Sequence, residues 1–174
     1  ILKKLKNSDT DIIVTSGAIS AGKFDFIPAL IDNFSFKKCF KGVAIKPGRP
    51  IMLSKFKKKN KLFFGLPGNP ISAAAGFRFF IYPLIRKSLG MEIENKFTAK
   101  LSNKYFKVKS FTHFVRCFMK IDNKGLVKLE VLQGQQSNRI KSFVKANCWG
   151  IFSEGKSKFK KGDIIEWMPL IPGS

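Results

Sequence analysis

The apolar and polar positions in the first half of the chain predict short buried strands. The segment DIIVTSG (residues 11–17) is an apolar run between turn-forming residues, which is typical of a buried strand in a parallel sheet. Similar runs predict strands at residues 36–45, 51–54 and 62–65. The lysine-rich segment KFKKKNK (residues 55–61) lies between the last two runs, and we expect it to form the solvated tip of a hairpin.

Two helices are predicted among these strands. Asp25 precedes an apolar pattern that fits one amphipathic helix, and its side chain would be the N-cap of that helix. Pro70 opens and Gly90 closes a second helical pattern over residues 71–89, the order in which proline and glycine usually flank a helix. Strands followed by helices predict an α/β layered domain in this half of the chain.

The second half of the chain has the alternating pattern of strands. DNKG (residues 122–125) and KKGD (residues 160–163) are predicted hairpin turns, and SNRIKSFVKAN (residues 137–147) is expected to hold one short helix. We therefore predict an α/β domain over residues 1–92 and a small β-barrel domain over residues 93–174. The alternating segments are KFTAKLS, THFVRCFMKID, GLVKLEVLQ, CWGIFSE and GDIIEWMPL.

Length and composition fit a globular protein. The chain has 174 residues, of which 44% are hydrophobic, and this is enough to bury a core. No apolar run reaches the roughly 20 residues of a membrane-spanning helix, and the start lacks the order of a signal peptide, so a cytoplasmic protein is expected. Because the chain begins with Ile1 rather than Met, we expect it to be the C-terminal portion of a longer protein, with an α/β domain that is incomplete at its N-terminus.

Charge and cysteine content weigh against two kinds of site. The formal net charge of +22 would attract phosphates, but the lysines are spread along the chain, so a dedicated nucleic-acid surface is not expected. Cys39, Cys117 and Cys148 lie far apart without a CxxC pair, and His113 is the only histidine. The cysteines are therefore expected to be small buried hydrophobic residues rather than zinc ligands or disulfide partners.

The segment GLPGNP (residues 65–70) joins a predicted strand to a predicted helix. In α/β sheets such a loop lies where ligands bind, because the first helical amides lack partners and the helix dipole is positive there. Gly68 has no Cβ to obstruct a ligand, and Pro67 and Pro70 stiffen the loop. The pattern fits an anion site, although prolines and glycines also form plain turns.

Two further loops follow a similar logic. SGAISAGKFD (residues 16–25) runs from a strand to a helix, and Asp25 either caps that helix or holds a divalent metal, preferably Mg²⁺. Capping alone is the simpler interpretation. AIKPGRP (residues 44–50) places Lys46 and Arg49 around a rigid Pro-Gly turn, so both side chains could contact one anion.

TSGAISAGKFD, VAIKPGRP and GLPGNPISA, in this order, resemble the motifs of the molybdopterin molybdenumtransferases, enzymes of molybdenum-cofactor synthesis to which the back half of gephyrin belongs. HFVRC, GQQSNRIKSFVKANCWGIFSEG and GDIIEWMPL resemble the C-terminal domain of that family, so the resemblance covers nearly all of the chain. It implies a molybdopterin-binding α/β domain followed by a small β-barrel, in an enzyme that works as a homodimer. The implied reaction inserts molybdenum from molybdate into adenylylated molybdopterin, with Mg²⁺ assisting and AMP released.

The resemblance also implies roles for individual residues. Asp25, Lys46, Arg116 and Ser137 fall at positions tied to catalysis, and Asp25 is in addition the implied metal ligand. The positions implied to bind the pterin substrate are Ser16, Gly17, Ser20, Gly22, Arg49, Pro67, Gly68, Asn69 and Pro70.

Two positions depart from the family pattern. Ala18 stands where the glycine loop usually has a second glycine, which would hold a ligand further from the backbone. Gly42 stands where a basic residue is usual, and Lys41 is one position away. The alternatives are a related molybdopterin adenylyltransferase, a truncated fragment without activity, and a basic nucleic-acid-binding module. The barrel and the motifs KPGRP and LPGNP count against the adenylyltransferase.

Overall fold

The computed structural model describes residues 9–17, 36–57 and 60–172. The helix predicted to begin at Asp25 lies outside the described residues. In the part of the chain that is described, no helix is long and apolar enough to cross a membrane.

The described residues form twelve strands and three short α-helices. The strands are β1 (Ile12–Ser16), β2 (Phe36–Lys41), β3 (Ile45–Lys46), β4 (Met52–Phe56), β5 (Leu62–Leu66), β6 (Phe97–Leu101), β7 (Tyr105–Phe106), β8 (Thr112–Ile121), β9 (Val127–Val131), β10 (Cys148–Phe152), β11 (Lys158–Phe159) and β12 (Ile164–Pro169). The helices are α1 (Pro70–Gly76), α2 (Tyr82–Ser88) and α3 (Lys141–Lys145). They belong to two compact units, of which the first contains Ile1–Val43 and Gly48–Gly76 and the second contains Ala44–Pro47 and Phe77–Ser174.

The first unit contains a four-stranded sheet in the order β1-β5-β4-β2. Strands β1 and β5 are parallel, as the sequence predicted, whereas β4 runs antiparallel to both β5 and β2. The hairpin between β4 and β5 is therefore confirmed. The prediction that all of residues 55–61 form its solvated tip is wrong, because β4 continues to Phe56 and the side chains of Phe56 and Lys61 are buried. The apolar side chains of Phe36, Phe56 and Phe63 are buried on one another, with the rings of Phe36 and Phe56 3.9 Å apart.

The single strand predicted over residues 36–45 is wrong. Gly42 has a φ of +80°, in the left-handed region that interrupts a strand, and its N–H bonds to the carbonyl oxygen of Ile51. Strand β2 therefore ends at Lys41. The short strand β3 pairs with β8 in the second unit.

The predicted helix over residues 71–89 is observed in three parts. Helix α1 is followed by a π-helical turn, Phe77–Ile81, and then by α2. Pro83, in the first turn of α2, has no N–H for an i→i−4 bond, and the wider π turn before it accommodates this loss. Gly90, with a φ of +71°, follows the last helical turn as predicted.

The second unit contains a closed barrel of five strands, namely β10, β12, β6, β9 and β8. Its sheet runs in the order β10-β12-β6-β9-β8-β3, and β10 also pairs with β8, which closes the ring. The barrel core is apolar, and Cys117 and Cys148 lie opposite each other within it. A separate pair of strands, β7 and β11, completes the unit. The predicted barrel is confirmed.

Three local predictions have different outcomes. DNKG forms the predicted turn between the paired strands β8 and β9, with Gly125 donating to the carbonyl oxygen of Asp122. KKGD also forms a turn, but it is not a hairpin, because β11 pairs with β7 whereas β12 pairs with β10 and β6. The prediction that Cys39 is buried is wrong, because this residue lies at a register shift in the edge strand β2, where its side chain is exposed.

Candidate functional site

Two loops of the first unit meet at one edge of its sheet. Because β1 and β5 are parallel, Gly17 and Gly68 follow strands that end at the same edge. The N–H of Gly17 donates to the carbonyl oxygen of Leu66 at 2.9 Å, and the hydroxyl of Ser16 donates to the carbonyl oxygen of Pro67 at 3.3 Å. A Cβ at Gly68 would lie 3.3 Å from the Cα of Gly17, so the two backbones approach closely and a side chain there would require a small shift of the Gly17 backbone. The structure thus brings these four predicted residues together.

Asn69 occupies the start of α1. Its Oδ1 accepts hydrogen bonds from the N–H groups of Ile71 and Ser72 at 3.1 and 3.2 Å, while its carbonyl oxygen accepts from Ala73 at 2.9 Å. Pro70 has no N–H. The amides of the first helical turn are therefore already bonded within the chain, which corrects the expectation that they are available to an anion. At this loop only backbone before the helix is left to approach a ligand.

Arg116 lies on β8 with its side chain fully buried. Its Nε donates to the hydroxyl of Ser142 at 2.8 Å, and its Nη2 donates to the carbonyl oxygens of Gly134 and Gln136 at 2.8 and 3.2 Å. Gln135 bonds to the backbone of Arg116 in both directions. Burial lowers the pKa of the guanidinium. Arg116 therefore holds the segment of residues 134–142 in place from the interior of the unit.

Ser137 lies in the segment that Arg116 holds. It is one residue beyond Gln136 in a turn, and it is exposed. Arg116 and Ser137 are thus linked through one loop, with the arginine inside the unit and the serine on its surface. This arrangement makes Arg116 a positioning residue for the loop.

A cavity of about 490 Å³ lies in the second unit beside this loop. Lys46 reaches it because β3 pairs with β8, which places Lys46 opposite His113. The cavity therefore joins the lysine of the KPGRP motif to the loop held by Arg116. Its lining residues are Lys46, Pro47, Tyr105, Phe106, Lys107, Val108, His113, Phe114, Gln135 and Gln136.

The ionisable groups of the cavity are two lysines, a histidine and a tyrosine. Lys107 is buried, and its ammonium donates to the carbonyl oxygens of Val108 and Phe111 at 3.2 and 2.7 Å. Burial, followed by the charges of Lys107 and Lys46, lowers the pKa of His113 to about 4. Burial raises the pKa of Tyr105 to about 12. Burial also lowers the pKa of Lys107. The lining residues include two lysines and no acidic side chain, a composition that suits an anion.

Of the residues that line this cavity, sequence reasoning found only Lys46, and it missed the three other ionisable residues, Tyr105, Lys107 and His113. The available signal was that the only histidine of the chain lies three residues before Arg116 in HFVRC. The structure assigns Lys46 to the second unit and Arg49 to the first, so their joint contact with one anion stays a prediction.

The remaining predicted residues give less information. Ser20, Gly22 and Asp25, together with Ala18, lie outside the described residues. Among the residues that are described, no group of three or more His, Cys, Asp and Glu side chains could hold a metal ion. Gly42, where the family pattern has a basic residue, needs its left-handed φ of +80°, which side chains rarely adopt.

Comparison with known proteins agrees with this arrangement. Residues 1–87 match the family model described as "Probable molybdopterin binding domain", and residues 98–170 match "MoeA C-terminal region (domain IV)". A relative from Haemophilus influenzae named "Molybdopterin molybdenumtransferase" is 32% identical over 166 residues, which are 94% of this chain and 40% of the relative. The chain belongs to the molybdopterin molybdenumtransferase family. A Bacillus subtilis member of this family is 28% identical over 158 residues, 90% of this chain and 36% of that protein.

Solved structures support the same family. A crystal structure of a "molybdopterin biosynthesis moea protein" from Pyrococcus horikosii superposes with a TM-score of 0.73 at 27% identity. The match covers 98% of this chain and 39% of that one. The present chain therefore spans about two fifths of the molybdopterin molybdenumtransferases that it resembles.

Proposed function

We propose that the full-length protein is a molybdopterin molybdenumtransferase, which inserts molybdenum from molybdate into adenylylated molybdopterin and releases AMP. The observation that carries the proposal is the cavity of the second unit, where Lys46 of the KPGRP motif lies beside the loop held by Arg116. The two family models, which match the two parts of the chain in the same order, support it. They also support the proposed division into domains at residues 1–92 and 93–174.

The proposal gives each unit a binding role of its own. The edge formed by Ser16, Gly17, Pro67 and Gly68 would take the phosphate of the pterin, and Gly68 would supply its N–H, because the N–H of Gly17 already bonds to Leu66 and Pro67 has none. Arg49, Ser20 and Gly22 would add contacts to the same substrate. Asn69 and Pro70 would shape this loop, the first as a helix cap and the second as the rigid start of α1.

The cavity would hold molybdate, which is a tetrahedral dianion. The ammonium of Lys46 would neutralise part of its charge, and the partly desolvated wall would strengthen that attraction. Ser137 would contact the substrate from the surface of the loop, and Arg116 would act through the position of that loop.

The proposal also includes magnesium binding, subunit assembly and the location of the protein in the cell. Asp25 would hold Mg²⁺ together with phosphate or molybdate oxygens of the substrate, because Mg²⁺ prefers oxygen ligands and keeps few protein contacts. The enzyme would work as a homodimer in the cytoplasm, without nucleic acid or membrane as a partner.

The test uses the full-length gene product with the substitution Lys46→Met. Molybdenum transfer and AMP release are measured with adenylylated molybdopterin and molybdate. We expect the rate to fall about a hundredfold, because one charge-assisted contact to the oxyanion is lost. Lys124→Met is the matched control, since Lys124 lies in the turn at the far end of β8 and is exposed.

Two outcomes would contradict the proposal. Parental rates in Lys46→Met would show that this lysine does not serve the reaction. A parental full-length protein that neither transfers molybdenum nor releases AMP would favour the alternative of a family member without activity.

A further inference from the structure

We propose that the barrel of the second unit binds a short chain of linked phosphates on its outer surface, across strands β6, β9 and β8. A cavity of about 340 Å³ lies there, a size that suits a small ligand. Four of its seven lining residues are lysines. None of its lining residues also lines the cavity of Lys46, so this inference does not depend on the proposed function.

The register of three neighbouring strands places three of these lysines in one row. Lys100 of β6 pairs with Lys128 of β9, and Lys128 pairs in turn with Lys120 of β8. Leu101 and Leu129, which follow Lys100 and Lys128 along their strands, belong to the barrel core. Because side chains alternate between the two faces of a strand, the three lysines point away from the core. We call Lys100, Lys128 and Lys120 the lysine row.

A turn adds a fourth lysine at the end of β6. The N–H of Gly162 donates to the carbonyl oxygen of Leu101 at 2.8 Å, which fixes the turn of residues 160–163 beside this strand. Lys161, the residue before Gly162, is exposed and lines the same cavity as the lysine row. The cavity thus collects ammonium groups from three strands and one turn.

The positive charge of this cavity is only partly neutralised within the chain. The ammonium of Lys128 lies 2.8 Å from a carboxylate oxygen of Asp122. In the part of the chain that the structure describes, no salt bridge joins Lys100, Lys120 or Lys161 to a carboxylate. Like charges directly opposite each other on neighbouring strands destabilise a sheet. An anion that pairs with the lysine row removes this repulsion, and its binding is favoured for that reason.

The spacing of the charges favours linked phosphates over a single oxyanion. Neighbouring strands lie about 5 Å apart, so the lysine row extends over about 10 Å from β6 to β8, which is longer than one tetrahedral anion. Lysine contacts phosphate as a point charge on a flexible stem, so the four side chains can follow a short phosphate chain. Inorganic oligophosphates and the phosphate chain of a nucleoside triphosphate share this chemistry.

The test is calorimetric titration of tripolyphosphate, adenosine triphosphate and sulfate into the full-length protein at low ionic strength, where salt screens exposed charges least. We expect tripolyphosphate to bind more tightly than sulfate, and the result with adenosine triphosphate distinguishes a nucleotide from an inorganic ligand. The double variant Lys100→Met/Lys120→Met should bind tripolyphosphate about tenfold more weakly, because two charge contacts are lost. Lys100→Arg/Lys120→Arg keeps both charges, so its affinity should stay within a few-fold of the parent.

The matched control is Lys37→Met/Lys55→Met. These two lysines are exposed and directly opposite each other on β2 and β4 of the first unit, so the control removes the same charge from another paired position. We expect it to bind tripolyphosphate as the parent does. Thermal unfolding of each variant shows that the fold is kept.

Acetylation of lysines, followed by mass spectrometry with and without tripolyphosphate, locates the site. Lys100, Lys120 and Lys161 should be protected, whereas Lys37 and Lys55 should not. Equal losses of affinity in the two methionine double variants, or equal protection of both sets of lysines, would show attraction by net charge alone and overturn the proposal. A parent that binds single-stranded DNA but not tripolyphosphate would overturn it as well, in favour of a nucleic-acid surface.

Discussion

Replacing Arg116 by methionine should loosen the loop of residues 134–142 and destabilise the barrel. The guanidinium makes three hydrogen bonds, to the hydroxyl of Ser142 and to the carbonyl oxygens of Gly134 and Gln136. Hydrogen bonds to charged groups contribute about 1.5–3 kcal/mol each, but removing a buried cation also removes its desolvation cost. Because the hydroxyl of Ser142 still bonds to Gly134, mainly Gln136 loses its donor. We therefore expect a net loss of about 2–4 kcal/mol in the free energy of unfolding.

Urea denaturation of the full-length protein measures this loss, and amide hydrogen exchange across residues 134–142 shows where it acts. Exchange in the loop should accelerate, and molybdenum transfer should fall because Ser137 is no longer held in one position. Arg116→Lys is the matched variant, since it keeps the charge and can still reach one of the carbonyl oxygens, so its loss should be about half as large. If Arg116→Met left both the urea midpoint and the loop exchange unchanged but abolished transfer, the arginine would contact substrate directly and the positioning role would be wrong.

Three further changes test other parts of the structure. Asn69→Ala should cost about 0.5–2 kcal/mol in thermal unfolding and Asn69→Asp much less, because the side-chain oxygen caps α1; equal losses would show that capping is not its role. Gly150→Ala should cost about 1–3 kcal/mol, since its Cβ would lie 2.9 Å from both the Cys117 sulfur and the Phe152 ring, whereas Lys120→Ala, at an exposed position of β8, is a control for the barrel surface. The free energy of unfolding should fall as the pH drops from about 6.5 to about 4, because the unfolded chain binds a proton at His113 more readily than the folded protein does. The pKa of about 4 limits this loss to roughly 3 kcal/mol. In urea titrations, His113→Gln should make the free energy of unfolding less dependent on pH.

The fold was largely predictable because local patterns determine most of it. Alternating segments predicted the barrel strands, and the apolar run before Gly17 predicted the parallel strand β1. The errors arose where a single backbone feature outweighed the pattern. Gly42 ends β2 with its positive φ, and Pro83 accompanies a π turn within a pattern that is otherwise helical throughout.

The candidate site was predictable only in part, because pairing between distant strands is not encoded in local periodicity. The glycine loops could be found from their strand-to-helix positions, and the structure places Ser16, Gly17, Pro67 and Gly68 together. The cavity depends on the pairing of β3 with β8, which brings Lys46 opposite a histidine 67 positions later in the chain. No spacing rule in the sequence points to that pairing.

The same limit applies to Arg116. Its resemblance to a family position implied a catalytic role, whereas its complete burial and its bonds to Ser142, Gly134 and Gln136 support a positioning role. Arg116 is buried with no carboxylate partner among the residues that the structure describes. This is a property of the folded barrel, so it could not be inferred from the segment HFVRC.

The most direct test of the account is the location of molybdate in crystals of the full-length protein, measured by the anomalous scattering of molybdenum. The account predicts a peak in the cavity of the second unit, within hydrogen-bonding distance of the ammonium of Lys46. A well-occupied peak elsewhere, with the cavity empty, would contradict it.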